Sequence, residues 1–189
     1  MRDETRRHLR VTVRSNTFMN DPPDAEIYYN LLGKILVLWS RLENSLGHAL
    51  LSICNSPYAE NFRPKEMPIA FKKKVTLWRL LFSKIDELAS MKRAAIELIE
   101  DATDTAHDRH VLVHGHFDRF TKATPLTARF VHIKHKRNNA HLYNYEISIE
   151  QLQDITTTID ELILRLVPIL WNICSLSNIS PPPTKSIQE

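Results

Sequence analysis

Residues 108–117 read DRHVLVHGHF and place one arginine and three histidines within ten positions. Arg109 is followed directly by His110 and, five positions on, by His114 and then Gly115. A guanidinium is a planar fork of donors that matches a phosphate group. A histidine, with a free pKa of about 6.5, can move a proton at neutral pH. The stretch therefore suits cleavage of RNA, in which a base activates the 2′-hydroxyl, a cation steadies the phosphorane and an acid protonates the leaving oxygen.

Two other interpretations compete for this stretch. His107, His110 and His114 lie on one helical face, and with Asp104 or His116 they could ligate zinc. However, a helical turn rises about 5.4 Å and a zinc–nitrogen bond is about 2.0 Å, so three ligands from one helix do not converge. The last alternative is a polar helix end, where imidazoles interact with the dipole and arginine caps carbonyls. We expect no metal and no cofactor here.

The composition indicates one soluble domain. The chain has 189 residues, 43% of them hydrophobic, which is ample for one packed core. A net charge of +3 permits binding of nucleic acid without arguing for it. Only 3 glycines occur, which disfavours a sheet-rich fold.

Several features favour a cytoplasmic protein without a membrane partner. The first residues, MRDETRRHLRVTVR, have no apolar core and are not a secretory signal. The longest apolar run falls short of the roughly 20 residues that span a bilayer. Cys54 and Cys174 are too few for a disulfide framework, and we expect both to be buried thiols in a reducing compartment.

Apolar residues spaced by three or four predict four substantial helices. The first is long and ends near Asn55, the second covers about 69–85, and the third covers about 90–114. Ser148 and Gln151 form a capping box that starts the last helix.

Residues 126–147 alternate around the polar centre KRNN, which predicts a β-hairpin. The fold class is therefore all-α: an antiparallel helical bundle of about four main helices, with a small β-hairpin insert before the last helix. We expect a basic N-terminal arm over 1–20, a helical domain over 21–175 and a disordered tail over 176–189.

The segment from Arg109 to His114 resembles the motif of the HEPN superfamily (higher eukaryotes and prokaryotes nucleotide-binding domains). That motif is an arginine, a polar residue and a short spacer to a histidine; the polar residue is most often Asn, and it is His110 here. Gly115 after the histidine fits many members. The motif is short, and its place at the end of the third predicted helix makes it more specific.

The resemblance extends upstream and covers roughly residues 24–172. LWSRLENSLGHALL, residues 38–51, is similar to the first long helix of such domains, with Trp39, Leu42 and Glu43 in place. The order of long helix, second helix, motif helix, hairpin and last helix also agrees with several families of this superfamily.

The resemblance implies a helical bundle that often dimerises through the motif helices. Many members are metal-independent ribonucleases of toxin–antitoxin, phage-defence or RNA-processing systems, and others are inactive binding modules. Carried over, Arg109 holds the scissile phosphate and His114 is the acid or base. His110 orients a partner or takes the second proton-transfer role, and Glu43 gives polar support.

The positions of Arg109 and His114 raise a geometric difficulty. Residues five apart on a helix point about 140° from each other, so these two do not share a face. Either the helix loosens before Gly115, or the site is composite across a twofold axis. We favour the second and expect a homodimer.

The hairpin carries further positive charge. Lys134, Lys136 and Arg137 are candidate RNA-binding residues that would form a lip against the backbone. The alternative is a solvated, charged hairpin, which would leave its histidines, His132, His135 and His141, without a role.

These observations favour a metal-independent endoribonuclease, as a toxin or phage-defence component, whose partners are RNA, a second copy and an antitoxin or nucleotidyltransferase. The first alternative is a non-catalytic interaction or nucleotide-binding module. The second is a metal-binding helical protein.

Overall fold

The computed structural model describes residues 21–136 and 139–177. The basic arm expected over 1–20 lies outside this part of the chain, and so does the tail expected over 176–189, except for residues 176 and 177, which belong to the last helix. The described part is mainly helical, with β-structure inserted before the last helix, as the sequence predicts. Its α-helices are α1 Ala25–Asn55, α2 Phe71–Lys84, α3 Lys92–His114 and α4 Ile149–Ser177, with short 3-10 helices at Pro57–Phe62 and Asp86–Met91 and strands β1 His116–Phe120, β2 Thr127–Lys136 and β3 Asn139–Ser148.

Three of the four α-helices run in the same direction. Ile53, Ile85 and Ile173, at the C-terminal ends of α1, α2 and α4, line one small cavity. Near the opposite end, Lys34 of α1 forms an ion pair with Asp160 of α4 at 3.8 Å. The expectation of an antiparallel bundle is therefore wrong for these three helices. The connection over residues 56–70 can span the length of α2, at roughly 3.3 Å or more per residue, and so returns the chain for a second parallel helix.

α3 runs against its neighbours, and here the antiparallel expectation is correct. The Trp78 indole N–H of α2 donates to the carbonyl of Ala95 near the start of α3, at 2.9 Å. Arg165, past the middle of α4, donates to Asp101 of α3 at 2.6 Å, whereas Ile155, near the start of α4, lines a cleft with His107, near the end of α3. As a result, the C-terminal end of α3 lies at the end of the bundle where the other three helices begin.

The insert is a three-stranded antiparallel sheet with the order β1-β2-β3. The expected hairpin of β2 and β3 is confirmed, with Phe130 opposite Tyr145 in the register. β1 was not expected. Its sequence, HFDRF, contains only two apolar residues, and it is an edge strand, for which the alternation of apolar and polar residues is weak. The expected capping box is also present: Ser148 Oγ accepts from the Gln151 N–H, and Gln151 Oε1 accepts from the Ser148 N–H.

Aromatic contacts fix the sheet to the bundle. Tyr28 of α1 is fully buried, and its hydroxyl donates to the carbonyl of Ile147 at 3.0 Å. Its ring meets the edge of Phe120, on β1, with centroids 5.3 Å apart. Burial raises the pKa of the Tyr28 hydroxyl well above its ordinary range, so this group acts only as a neutral hydrogen-bonding partner.

Gly115 allows α3 to end close against β2. Its backbone is extended, so no left-handed conformation requires glycine here. A Cβ at this position would instead collide with the Val111 carbonyl oxygen and would lie 3.2 Å from the Cβ of Phe130. Glycine is needed for close approach, which sets the distance between the motif helix and the sheet.

Two features relate to the expected cytoplasmic location: the character of the helices and the burial of the two cysteines. Among helices in the described ranges, none combines the length and apolar character needed to cross a membrane. Cys54 is buried as expected. Cys174 is exposed, so the expectation of burial is wrong there; helical periodicity places it just beyond the buried Ile173 and off the inner face of α4.

Candidate functional site at the end of α3

The last two turns of α3 bring two motif histidines together. The ring centroids of His110 and His114 are 4.6 Å apart, as their spacing of four predicts. The helix stays regular through His114, because the Gly115 N–H bonds the Val111 carbonyl at 2.8 Å. It does not loosen before Gly115, so Arg109 and His114 of one chain keep different directions.

A third imidazole reaches the pair from the sheet. His132 of β2 has its ring centroid 5.2 Å from that of His110. Ala128 and Phe130 of the same strand are buried, and alternation places His132 on their inner face. Its Nδ1 atom is buried and accepts or donates no hydrogen bond within the described part of the chain. We call His110, His114 and His132 the imidazole cluster.

The cluster lowers the pKa of one of its members. The pKa of His110 lies below its ordinary value because of partial burial and then the positive charge available on His114, His132 and Arg109. The His110 ring is therefore neutral at pH 7 and has a free lone pair. Such a group can accept a proton.

Arg109 lines a cleft with His110. Its side chain is half-buried, and its Nε atom is buried with no hydrogen-bond partner among the described residues. An orphaned guanidinium nitrogen is unusual, because buried donors are nearly always paired. The cleft has a volume of about 550 Å³ and is walled by three helices: Trp39 and Glu43 from α1; Phe71, Lys72, Val75, Thr76 and Arg79 from α2; Thr103, Ala106, His107, Arg109 and His110 from α3.

Glu43 is fixed within the wall of this cleft. One of its carboxylate oxygens accepts from the Trp39 indole N–H at 3.0 Å, and the other lies 3.7 Å from Lys74 Nζ. Phe71 packs against the edge of Trp39 with centroids 5.0 Å apart. The carboxylate thus orients an aromatic wall, and its charge is largely offset by Lys74.

A second cleft of about 340 Å³ lies on the other side of α3, where it faces β3 and α4. His107, Asp108, Glu146 and Asp154 line it, so it is more acidic than the first. Burial raises the pKa of Asp108. Within residues 21–136 and 139–177, no set of three or more His, Cys, Asp and Glu side chains is arranged to hold a metal ion.

The candidate RNA-binding residues of the hairpin lie largely outside the part of the chain that the structure describes. Arg137 lies outside the described residues, as do the side chains of Lys134 and Lys136. The strand that carries the two lysines does pair with β3 up to Lys136 opposite Asn139.

Sequence reasoning missed three residues of this site. His132 was assigned to the hairpin surface, although its position two residues after Phe130 on an alternating strand was a signal for the inner face. Lys72 and Arg79, on the second helix, were given no role from the sequence. Their spacing of seven places them on one face, and the structure puts that face in the cleft.

Compared with protein-family models, curated proteins and solved structures, the chain matches none.

Proposed function

We propose that the protein is a HEPN-like, metal-independent endoribonuclease. The observation that carries the proposal is the imidazole cluster, one member of which, His110, lines a cleft together with Arg109. Cleavage of RNA at its own 2′-hydroxyl needs a base, an acid and a cation, and no external nucleophile. The site offers each of these groups.

The roles follow from the environment of each residue. Neutral His110 takes the proton of the 2′-hydroxyl, and the 2′-oxygen attacks the phosphorus. The bond from phosphorus to the 5′-oxygen breaks as His114, in the role of general acid, gives that oxygen a proton. Arg109 balances the charge that develops on the phosphorane oxygens. The products are a 2′,3′-cyclic phosphate and a 5′-hydroxyl.

A second copy of the chain would complete this arrangement. Arg109 and His110 line one cleft, whereas His114 does not. A twofold axis beside α3 would bring His114 of one protomer to Arg109 of the other. A toxin or phage-defence role and an antitoxin or nucleotidyltransferase partner belong to the same proposal and rest on the resemblance alone, whereas RNA as the substrate rests also on the chemistry of the site.

The test is incubation of the purified protein with single-stranded RNA in the presence of a chelator. We expect cleavage that leaves a cyclic phosphate. Arg109→Ala and His114→Ala should each slow cleavage on the order of 100-fold or more, because one removes charge stabilisation and the other a general acid. His48→Ala is the matched control, since His48 is an exposed histidine of α1 outside the cleft, and it should change little.

Three outcomes would contradict the proposal. Cleavage that survives both Arg109→Ala and His114→Ala would place the activity elsewhere. Cleavage abolished by the chelator and restored by zinc would favour the metal-binding alternative. No cleavage of any RNA by a folded protein would favour the non-catalytic module.

A further inference from the structure

The cleft of about 550 Å³ is lined by charged side chains that have no role in the proposed cleavage step. Arg109 and His110 occupy its α3 side, while the α2 side carries Lys72 and Arg79, which form no ion pair with any described residue. Lys72 and Arg79 are seven positions apart and both exposed, so they stand on one face of α2, about 10 Å apart along the helix. The α2 wall thus offers two unengaged cations.

The charge of the cleft favours an anion. Lys72, Arg79 and Arg109 are opposed within its lining by one carboxylate, that of Glu43. That carboxylate already accepts from Trp39 and faces Lys74. Like Lys72 and Arg79, Arg109 forms no ion pair with any described residue, so none of the three cations is neutralised by a carboxylate partner there. Phosphate oxygens are acceptors that match such donors.

The same cleft has an aromatic wall. Phe71 is half-buried, and its ring is held by edge contact with the buried Trp39. Phe71 also lines the cleft. A ring fixed at the wall of a cleft is a platform on which a planar base can stack. The cleft volume lies within the range of small-ligand sites, roughly 300–1,000 Å³.

We propose that this cleft is a binding subsite for a nucleoside phosphate, with the base against Phe71 and its phosphate at Lys72 and Arg79. The inference rests on the proposed function in one respect: on an RNA strand, this nucleotide is the neighbour of the scissile phosphate at Arg109. The chemistry is the same for a free mononucleotide. Binding and cutting then depend on different walls of one cleft, α2 for binding and α3 for chemistry.

The experiment measures binding without cleavage, by isothermal titration of the full chain with each 5′-mononucleotide and with a 2′-O-methyl dinucleotide. Lys72→Ala and Arg79→Ala should each raise the Kd roughly tenfold or more, the range for a lost hydrogen bond to a charged group. Phe71→Leu keeps the apolar volume but removes the stacking face, and should raise the Kd at least about fivefold. Lys73→Ala is the matched control, because Lys73 is an exposed neighbour on the same helix outside the cleft.

The outcomes separate this inference from the proposed function. If the protein cuts RNA but Lys72→Ala, Arg79→Ala and Phe71→Leu bind as the wild type does, the subsite is wrong and the ribonuclease proposal stands. If the protein cuts nothing but binds with the expected losses, the subsite is supported and the ribonuclease proposal fails. No binding of either probe at millimolar concentration, by protein with an unchanged circular dichroism spectrum, would also overturn the subsite. Tighter binding of the dinucleotide identifies a strand as the ligand, and equal binding identifies a free nucleotide.

Discussion

At the scale of single residues, the site depends on how partial burial and then the neighbouring charges lower the pKa of His110. His110 stands where the resembled motif most often has Asn. Its pKa is lowered, and its ring contacts two other imidazoles. A neutral imidazole at pH 7 is a competent base, whereas an Asn at this position could only orient a partner. The departure from the usual motif therefore adds a capacity for proton transfer.

The first prediction concerns the titration of His110. Its NMR midpoint should lie below the ordinary value of about 6.5. His132→Gln removes one nearby positive charge, so the midpoint should move upward, and the acidic limb of the pH profile of cleavage should move with it. His48→Gln should leave both in place. A wild-type midpoint above 6.5 would exclude His110 as the base with a lowered pKa.

The same shift has a consequence for stability. Between the lowered pKa of His110 and about 6.5, the unfolded chain binds a proton that the folded chain does not. The contribution of His110 to the free energy of unfolding is therefore complete above pH 6.5 and is lost as the pH falls through the folded pKa.

At the scale of elements, the site exists because α3 stops against β2. Gly115 permits the contact with Phe130, and alternation along β2 then carries His132 to the ring of His110. The capping box at Ser148 starts α4 directly after β3, which keeps the sheet at this end of the bundle. One glycine thus sets the spacing between the two elements that supply the imidazoles.

Gly115→Ala tests this dependence. The added methyl group meets backbone at Val111, which cannot give way, so the free energy of unfolding should fall by about 1–3 kcal/mol. The rate constant of cleavage should also fall, because the added methyl group moves His132 away from His110. This fall should be larger than the decrease in the folded fraction accounts for. Both are measured, by urea unfolding and by single-turnover kinetics.

The control for that substitution lies in α1. A Cβ at Gly33 meets nothing within 4 Å, so Gly33→Ala in the middle of the helix should raise the free energy of unfolding by about 0.5–1 kcal/mol. Equal effects of the two substitutions would mean that Gly115 is not held by close approach.

At the scale of the whole molecule, three parallel helices and one opposed helix bring the N-terminal ends of α1 and α4 to the sheet and the N-terminal part of α2 beside the last turns of α3. The cleft is a product of this arrangement, because its walls come from the beginning of α2, the middle of α1 and the end of α3. At the end of α3, His110 and His114 are exposed and Val113 is 36% exposed, so a second copy can approach this end of the helix.

The last prediction is a homodimer with the two α3 helices near its twofold axis. Sedimentation should give about twice 22.0 kDa. The Arg109→Ala and His114→Ala proteins, each inactive alone, are mixed and allowed to exchange subunits. Half of the resulting dimers should contain one subunit of each kind, and each such dimer should hold one intact site of two. About a quarter of the wild-type activity should therefore return. A dimer without restoration would show that each site belongs to one chain, and a monomer would remove the composite site.

The sequence by itself determined the helices, the hairpin of β2 and β3, the capping box and the pairing of His110 with His114, because periodicity and local hydrogen bonds decide these over a few residues. It also marked Arg109 and Glu43, but only the fold placed them in one cleft. Three features depend on long-range packing: the direction of α2, the contact of His132 with His110, and the placement of Lys72 and Arg109 in one cleft. They follow from how the chain returns through residues 56–70 and from how α3 packs against β2. These are long-range packing choices, made by burial of apolar faces against each other, and no short stretch of the sequence contains them.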